Sequence, residues 1–123
     1  PQERQMFIQK TGDWTSTVHE QLLRESYRPV WIQGPFPTPF THNVNYDNQI
    51  LVASGIGITP SLSVIRAHSA TRRINLIWAV RDPAMLQFFL ERAYLDHNGW
   101  NLIFYTGKQP LLQSLDDFQS TNV

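Results

Sequence analysis

The stretch that most restricts what this chain can fold into runs from Gln49 to Ala67. Ile50, Leu51, Val52 and Ala53 form a short apolar run with a turn signal behind it, the pattern expected of a parallel strand buried on both faces. Ser54 to Pro60 follows, where Gly55 and Gly57 allow a sharp turn and leave no side chain between backbone and ligand. Thr59 is the expected cap of a helix whose first residue is Pro60, which lacks only an N–H that the helix would not have used. Strand, glycine turn and helix in this order aim a helix start at open space.

Such a helix start offers unpaired N–H groups and a partial positive charge, the chemistry a pyrophosphate needs. A glycine pair between strand and helix also serves as a plain structural turn, and the third glycine of the dinucleotide fingerprint is missing, with Pro60 in its neighbourhood. The rest of the chain decides between the two.

Downstream, Arg72 and Arg73 lead into a second strand from Ile74 to Val80. Asp82 then suits a helix cap and Pro83 the first helical position, while Met85, Leu86, Phe89 and Ala93 fall on one face at spacings of three and four. Asn98 and Gly99 are expected to end that helix, and a third strand runs from Trp100 to Tyr105. Leu111, Leu112, Leu115 and Phe118 fit a short amphipathic helix begun at Pro110. Alternating strands and helices imply right-handed crossovers and an α/β, Rossmann-like parallel sheet, ordered 3-2-1. Every strand-to-helix turn then lies on one edge, where doubly wound folds hold their ligands.

Three turns converge on that edge: Ser54 to Pro60, Arg81 with Asp82, and Thr106, Gly107 and Lys108. Arg81 and Lys108, from adjacent turns, are placed to meet the adenosine end of a dinucleotide, where a 2′-phosphate sits. Each charge-assisted hydrogen bond there is worth roughly 1.5–3 kcal/mol, which favours NADPH over NADH about tenfold or more. Taken singly, Arg81 paired with a nearby carboxylate and Lys108 merely solvated are the simpler readings. No acidic residue ends the second strand to grip a free 2′-hydroxyl, and Asp82 is explained as a helix cap.

Upstream, residues from Met6 to Lys10 and from Val30 to Gln33 are expected as short strands around a helix from Trp14. Thr15 or Thr17 is the expected cap, with Glu20 completing a capping box, and Val18, Leu22 and Leu23 face one side. Pro35, Pro37 and Pro39 then forbid helix or central strand and make Gly34 to Phe40 a stiff, extended connector. With the polar stretch from Thr41 to Asn48 it marks a domain boundary near Asp47, although composition alone fits a plain linker. At 123 residues there is room for one domain or pieces of two. Zero net charge with scattered Lys and Arg argues against a nucleic-acid partner, and no apolar run is long enough to span a bilayer. The absence of cysteine excludes disulfides and thiol chemistry, and His19, His42, His68 and His97 lack the spacing of metal ligands.

Five motifs in order carry a resemblance: Gly12, Asp13, Trp14 and Thr15; Gly34, Pro35 and Phe36; Gly55, Ile56, Gly57, Ile58, Thr59 and Pro60; Trp78 with Arg81 and Asp82; and Tyr105, Thr106 and Gly107. The chain resembles the ferric reductase and NADPH oxidase family, within the ferredoxin–NADP reductase superfamily. In that family a flavin-binding barrel precedes an NADPH-binding domain, both on the cytosolic side of a haem-carrying membrane domain. The resemblance implies that residues 1–46 are the C-terminal end of the FAD-binding barrel and residues 47–123 the first half of the NADPH-binding domain. It also implies that Gly55, Gly57, Thr59 and Pro60 contact the pyrophosphate, Arg81 the 2′-phosphate ribose, and Thr106 to Lys108 the adenosine side. Ser54, Ile56 and Asp82 complete the candidate cofactor-binding set; no catalytic residue and no metal ligand is assigned.

The departures are equally specific. The flavin motif His-Pro-Phe followed by Thr or Ser is missing, Pro37 stands where glycine is usual, and the Cys-Gly-Pro motif that borders the nicotinamide is absent. Neither FAD binding nor hydride transfer is assigned to this chain alone. A sheet ordered 3-2-1 also leaves the first strand with an open edge, which further chain or a partner is expected to cover. The expected function is the NADPH-binding part of a flavin-dependent transmembrane ferric-chelate reductase, passing hydride from NADPH to FAD and electrons to haem and Fe(III). The alternatives are an NADPH oxidase that reduces dioxygen and a non-catalytic nucleotide sensor or scaffold.

Overall fold

The structure, a computed structural model, describes residues 3–92 and 94–111. Ala93 and the expected helix beyond Leu111 lie outside the described residues. The chain divides into two compact units, Pro1–Pro37 and Thr38–Val123.

In the first unit the regular element is helix α1, Asp13–Arg24. Its start differs from expectation: Gly12 is the N-cap, and Thr15 reaches back to accept from the N–H groups of Thr11 and Gly12, both at 2.9 Å. Thr17 sits inside the helix and donates to the Asp13 carbonyl. The strands expected from Met6 to Lys10 and from Val30 to Gln33 do not form. A strand needs a neighbour for its backbone hydrogen bonds, and among the described residues these segments have no such ladder; Trp31 is fully exposed at 104%.

In the second unit the extended connector ends at Thr38, and a short 3-10 helix spans Pro39–Asn45. Proline is compatible with that first position because its missing N–H is not called upon. Strand β1 spans Asn48–Ser54, a 3-10 turn spans Gly55–Gly57, and helix α2 spans Ile58–His68. Strand β2 is Arg73–Val80, helix α3 is Pro83–Glu91, and strand β3 is Asn101–Tyr105. The three strands form a parallel sheet in the order β1-β2-β3, so the expected α/β fold and strand order are observed.

The register fixes which side chains share a face. Leu51 pairs with Leu76, Ala53 with Trp78, and Trp78 with Ile103, so these point to one side. Against that side lie Ile58, Leu62, Val64 and Ile65 of α2 and Leu86 and Phe89 of α3, all buried. The other side carries Ile50, Val52, Leu102 and Phe104, all exposed, with Ile50 at 61% and Val52 at 72%. Burial of β1 on both faces, expected from its apolar run, is therefore corrected. Right-handed crossovers running in one direction along the sheet put α2 and α3 on the same side, and the opposite face receives no helix from this stretch.

Helix α3 ends at Glu91, earlier than expected. The Arg92 guanidinium lies 3.9 Å from the centre of the Phe88 ring and donates to the Phe88 carbonyl at 3.1 Å, satisfying one of the helix's last acceptors. Asn98 and Gly99 serve β3 instead. The Asn98 carbonyl accepts from Ile74 N–H, the Trp100 carbonyl from Leu76 N–H, and Trp100 N–H donates to Asn75 Oδ1. Gly99, at φ +152°, passes so close to Ile74 that an added Cβ would collide with its carbonyl oxygen.

Candidate functional site

Because all three strands are parallel, their C-terminal ends fall on one edge. Ser54 pairs with Ala79 and Val80 with Tyr105, so the turns after β1, β2 and β3 begin within about one residue of the same level. Ser54, Gly55, Ile56, Gly57, Thr59 and Pro60 occupy the first turn and the start of α2, Arg81 and Asp82 the second, and Thr106, Gly107 and Lys108 the third. The fold brings the whole candidate set to a single rim.

The first turn differs in detail from expectation. Gly57 is the N-cap of α2, with no side-chain cap bond, and Thr59 and Pro60 lie inside the first turn of the helix. The 3-10 turn runs directly into the helix, so no residue has to leave helical geometry to cap it. Only Gly55 requires glycine for its conformation, at φ +51°; Gly57 is right-handed at φ −63°. An added Cβ at either position meets no described atom within 4 Å, so the outer surface of the turn is open. At the start of α2 the Ile58 N–H bonds back to the Gly55 and Ile56 carbonyls and Pro60 carries no N–H, so it is the bare glycine surface ahead of the helix that fits a diphosphate.

The second and third turns are joined. Thr106 N–H donates to the Val80 carbonyl at 2.9 Å, and Gly107 lies against the Arg81 carbonyl oxygen and the Tyr105 hydroxyl, where a Cβ would collide with both. The Tyr105 hydroxyl in turn donates to the Gln109 carbonyl, folding the third turn back on itself. Asp82 accepts from Ala84 N–H at 2.9 Å, the expected helix cap, which accounts for its carboxylate. Arg81 and Lys108 are exposed, and no carboxylate among the described residues forms an ion pair with either.

Sequence reasoning missed the role of Trp78. Its indole Nε1–H donates to the Gly55 carbonyl at 2.9 Å, tying the middle strand to the glycine turn. The available signal is a tryptophan two residues before the end of an aliphatic strand, because a buried indole N–H needs an acceptor.

The family model of the ferric reductase NAD-binding domain matches residues 46–119. The chain is similar to NADPH oxidase 4 of Rattus norvegicus, 33% identical over 107 residues, covering 71% of this chain and 18% of the relative. NADPH oxidase 4 of Homo sapiens is 30% identical over 131 residues, covering 88% and 23% respectively. Ferric reduction oxidase 8, mitochondrial, of Arabidopsis thaliana is 31% identical over 100 residues, covering 71% of this chain and 14% of the relative. The chain thus spans less than a quarter of the length of these curated relatives. No solved structure matches it. With the glycine turn, the two exposed cations and the matched residues in agreement, the chain belongs to the ferric reductase and NADPH oxidase family and carries its NAD-binding domain.

Proposed function

We propose that this chain holds NADPH for a flavin-dependent transmembrane reductase. The observation that carries the reading is the shared rim: an open glycine turn at Gly55 and Gly57, with Arg81 and Lys108 on the neighbouring turns. In the proposed arrangement Gly55, Ile56, Gly57, Thr59 and Pro60 line the pyrophosphate, Arg81 meets the 2′-phosphate, and Thr106, Gly107 and Lys108 border the adenosine. Bound NADPH supplies the hydride; the chain supplies position and charge.

In the complete protein the hydride passes to FAD and the electrons to haem and then to ferric chelates. Residues 1–46 would close a flavin barrel, and residues 47–123 would be the first half of the nucleotide domain, on the cytosolic side of the membrane. Among the described residues no helix is long and apolar enough to cross a membrane. The exposed Met6, Ile8, Val30, Trp31, Ile32 and Phe36 support a covering partner for the first unit, and the open edge of β1 supports one for the sheet. A second reading, with dioxygen as the acceptor, is favoured by the similarity to NADPH oxidase 4.

Titration of the chain with NADPH and NADH, followed by ligand-detected NMR so that weak binding is visible, tests the reading. Saturation transfer to NADPH is expected, stronger at the adenosine ribose than for NADH. Absence of transfer to either nucleotide would overturn it.

A further inference from the structure

Trp78 is the largest side chain wholly closed off from solvent, and it meets Phe89 edge to face with ring centres 5.8 Å apart. Its indole carries a polar N–H into this apolar layer, and the acceptor it finds is the Gly55 carbonyl, 2.9 Å away and 23 residues earlier in the chain. The same oxygen also accepts from Ile58 N–H.

A trans peptide is planar, with its C=O and N–H pointing in opposite directions. Turning the Gly55 oxygen inward to the indole therefore turns the Ile56 N–H outward, away from the core. Glycine leaves the backbone a wide choice of conformations, and the indole adds a hold from outside the turn to the one that Ile58 N–H makes within it. Trp78 provides that contact from a position fixed by the sheet register and by Phe89.

We propose that Trp78 is a positioning residue for the nucleotide site: its indole N–H holds the Gly55 carbonyl inward and so presets the outward Ile56 N–H of the glycine turn for a pyrophosphate. The proposal rests on the nucleotide-binding reading above. A donor set before the ligand arrives lowers the ordering cost of binding. Because the pyrophosphate is common to both nucleotides, Trp78 should act equally on NADPH and NADH, whereas Arg81 should separate them.

The test compares the full chain with one in which 3-benzothienylalanine replaces Trp78, keeping the bicyclic outline with sulfur in place of N–H. Trp78→Phe is the second variant. The folded state is followed by the dispersion of the amide NMR spectrum, and affinity by titration with NADPH and NADH. In the folded sulfur variant both affinities should fall about fivefold to tenfold, by the same factor. A core residue without a positioning role would lower the melting temperature and leave the affinity of the folded chain unchanged. Equal affinity in the folded sulfur variant would overturn the proposal. Failure of the unmodified chain to bind either nucleotide would overturn the nucleotide reading itself. Should both variants fail to fold, the indole signal of Trp78 in the unmodified chain decides: slow solvent exchange and a shift on adding NADPH support positioning, and an unmoved signal contradicts it.

Discussion

Gly107 lies directly against the carbonyl oxygen of Arg81, with no room for a Cβ between them. This contact joins two of the three turns at the rim. Replacing the hydrogen in Gly107→Ala forces the turns after β2 and β3 apart or displaces the Tyr105 hydroxyl. Overpacking of this kind costs about 1–3 kcal/mol. Urea unfolding should show the loss, and an unchanged midpoint would mean that the third turn does not pack as described.

Asp82 caps α3 through Ala84 N–H. Asp82→Ala should cost about 1 kcal/mol, while Asp82→Asn, which keeps an acceptor oxygen, should cost less. Neither change should alter the preference for NADPH over NADH, because the carboxylate is committed to the helix. Urea unfolding and nucleotide titration read the two effects separately.

The two glycines of the first turn make opposite demands. Gly55→Ala places a side chain at φ +51° and should destabilise the fold by about 1–2 kcal/mol. Gly57→Ala meets no steric conflict at φ −63° and should leave stability nearly unchanged. Its new methyl group nevertheless enters the open surface proposed for the pyrophosphate, and nucleotide affinity should fall. Thermal unfolding and ligand-detected NMR on the pair check both halves; a Gly57→Ala chain that binds as well as the parent would place the diphosphate elsewhere.

Local rules made the nucleotide-binding unit legible. The spacing of β1, β2 and β3, the Asp82–Pro83 helix start and the convergence of the turns follow from apolar runs, caps and crossover handedness. The burial of β1 did not, because an apolar run shows hydrophobicity and not which face a helix covers; Ile50 and Val52 are bare since both crossovers lie on the far side. Gly99 read as a helix end because its real constraint, contact with the Ile74 carbonyl, comes from a distant strand. The upstream strands were misjudged for a related reason: Val30, Trp31 and Ile32 have the composition of a strand, but pairing is a property of two segments. The tie from Trp78 to the Gly55 carbonyl is not legible locally because it spans 23 residues.

The bare face and open edge of β1 predict self-association. The chain should form larger species as its concentration rises, and Val52→Lys, which places a charge on the bare face, should shift it toward monomer. Sedimentation velocity across a concentration series reads the outcome. A parent chain that stays monomeric throughout would contradict the proposal that further polypeptide covers this region.

The most direct test of the central claim is the nucleotide preference of Arg81→Ala. In the parent chain NADPH should bind about tenfold or more tightly than NADH. In Arg81→Ala that preference should shrink markedly, through loss of NADPH affinity, with NADH affinity held. A variant that kept the full preference would show that Arg81 does not meet the 2′-phosphate, and the assignment of the rim would fail.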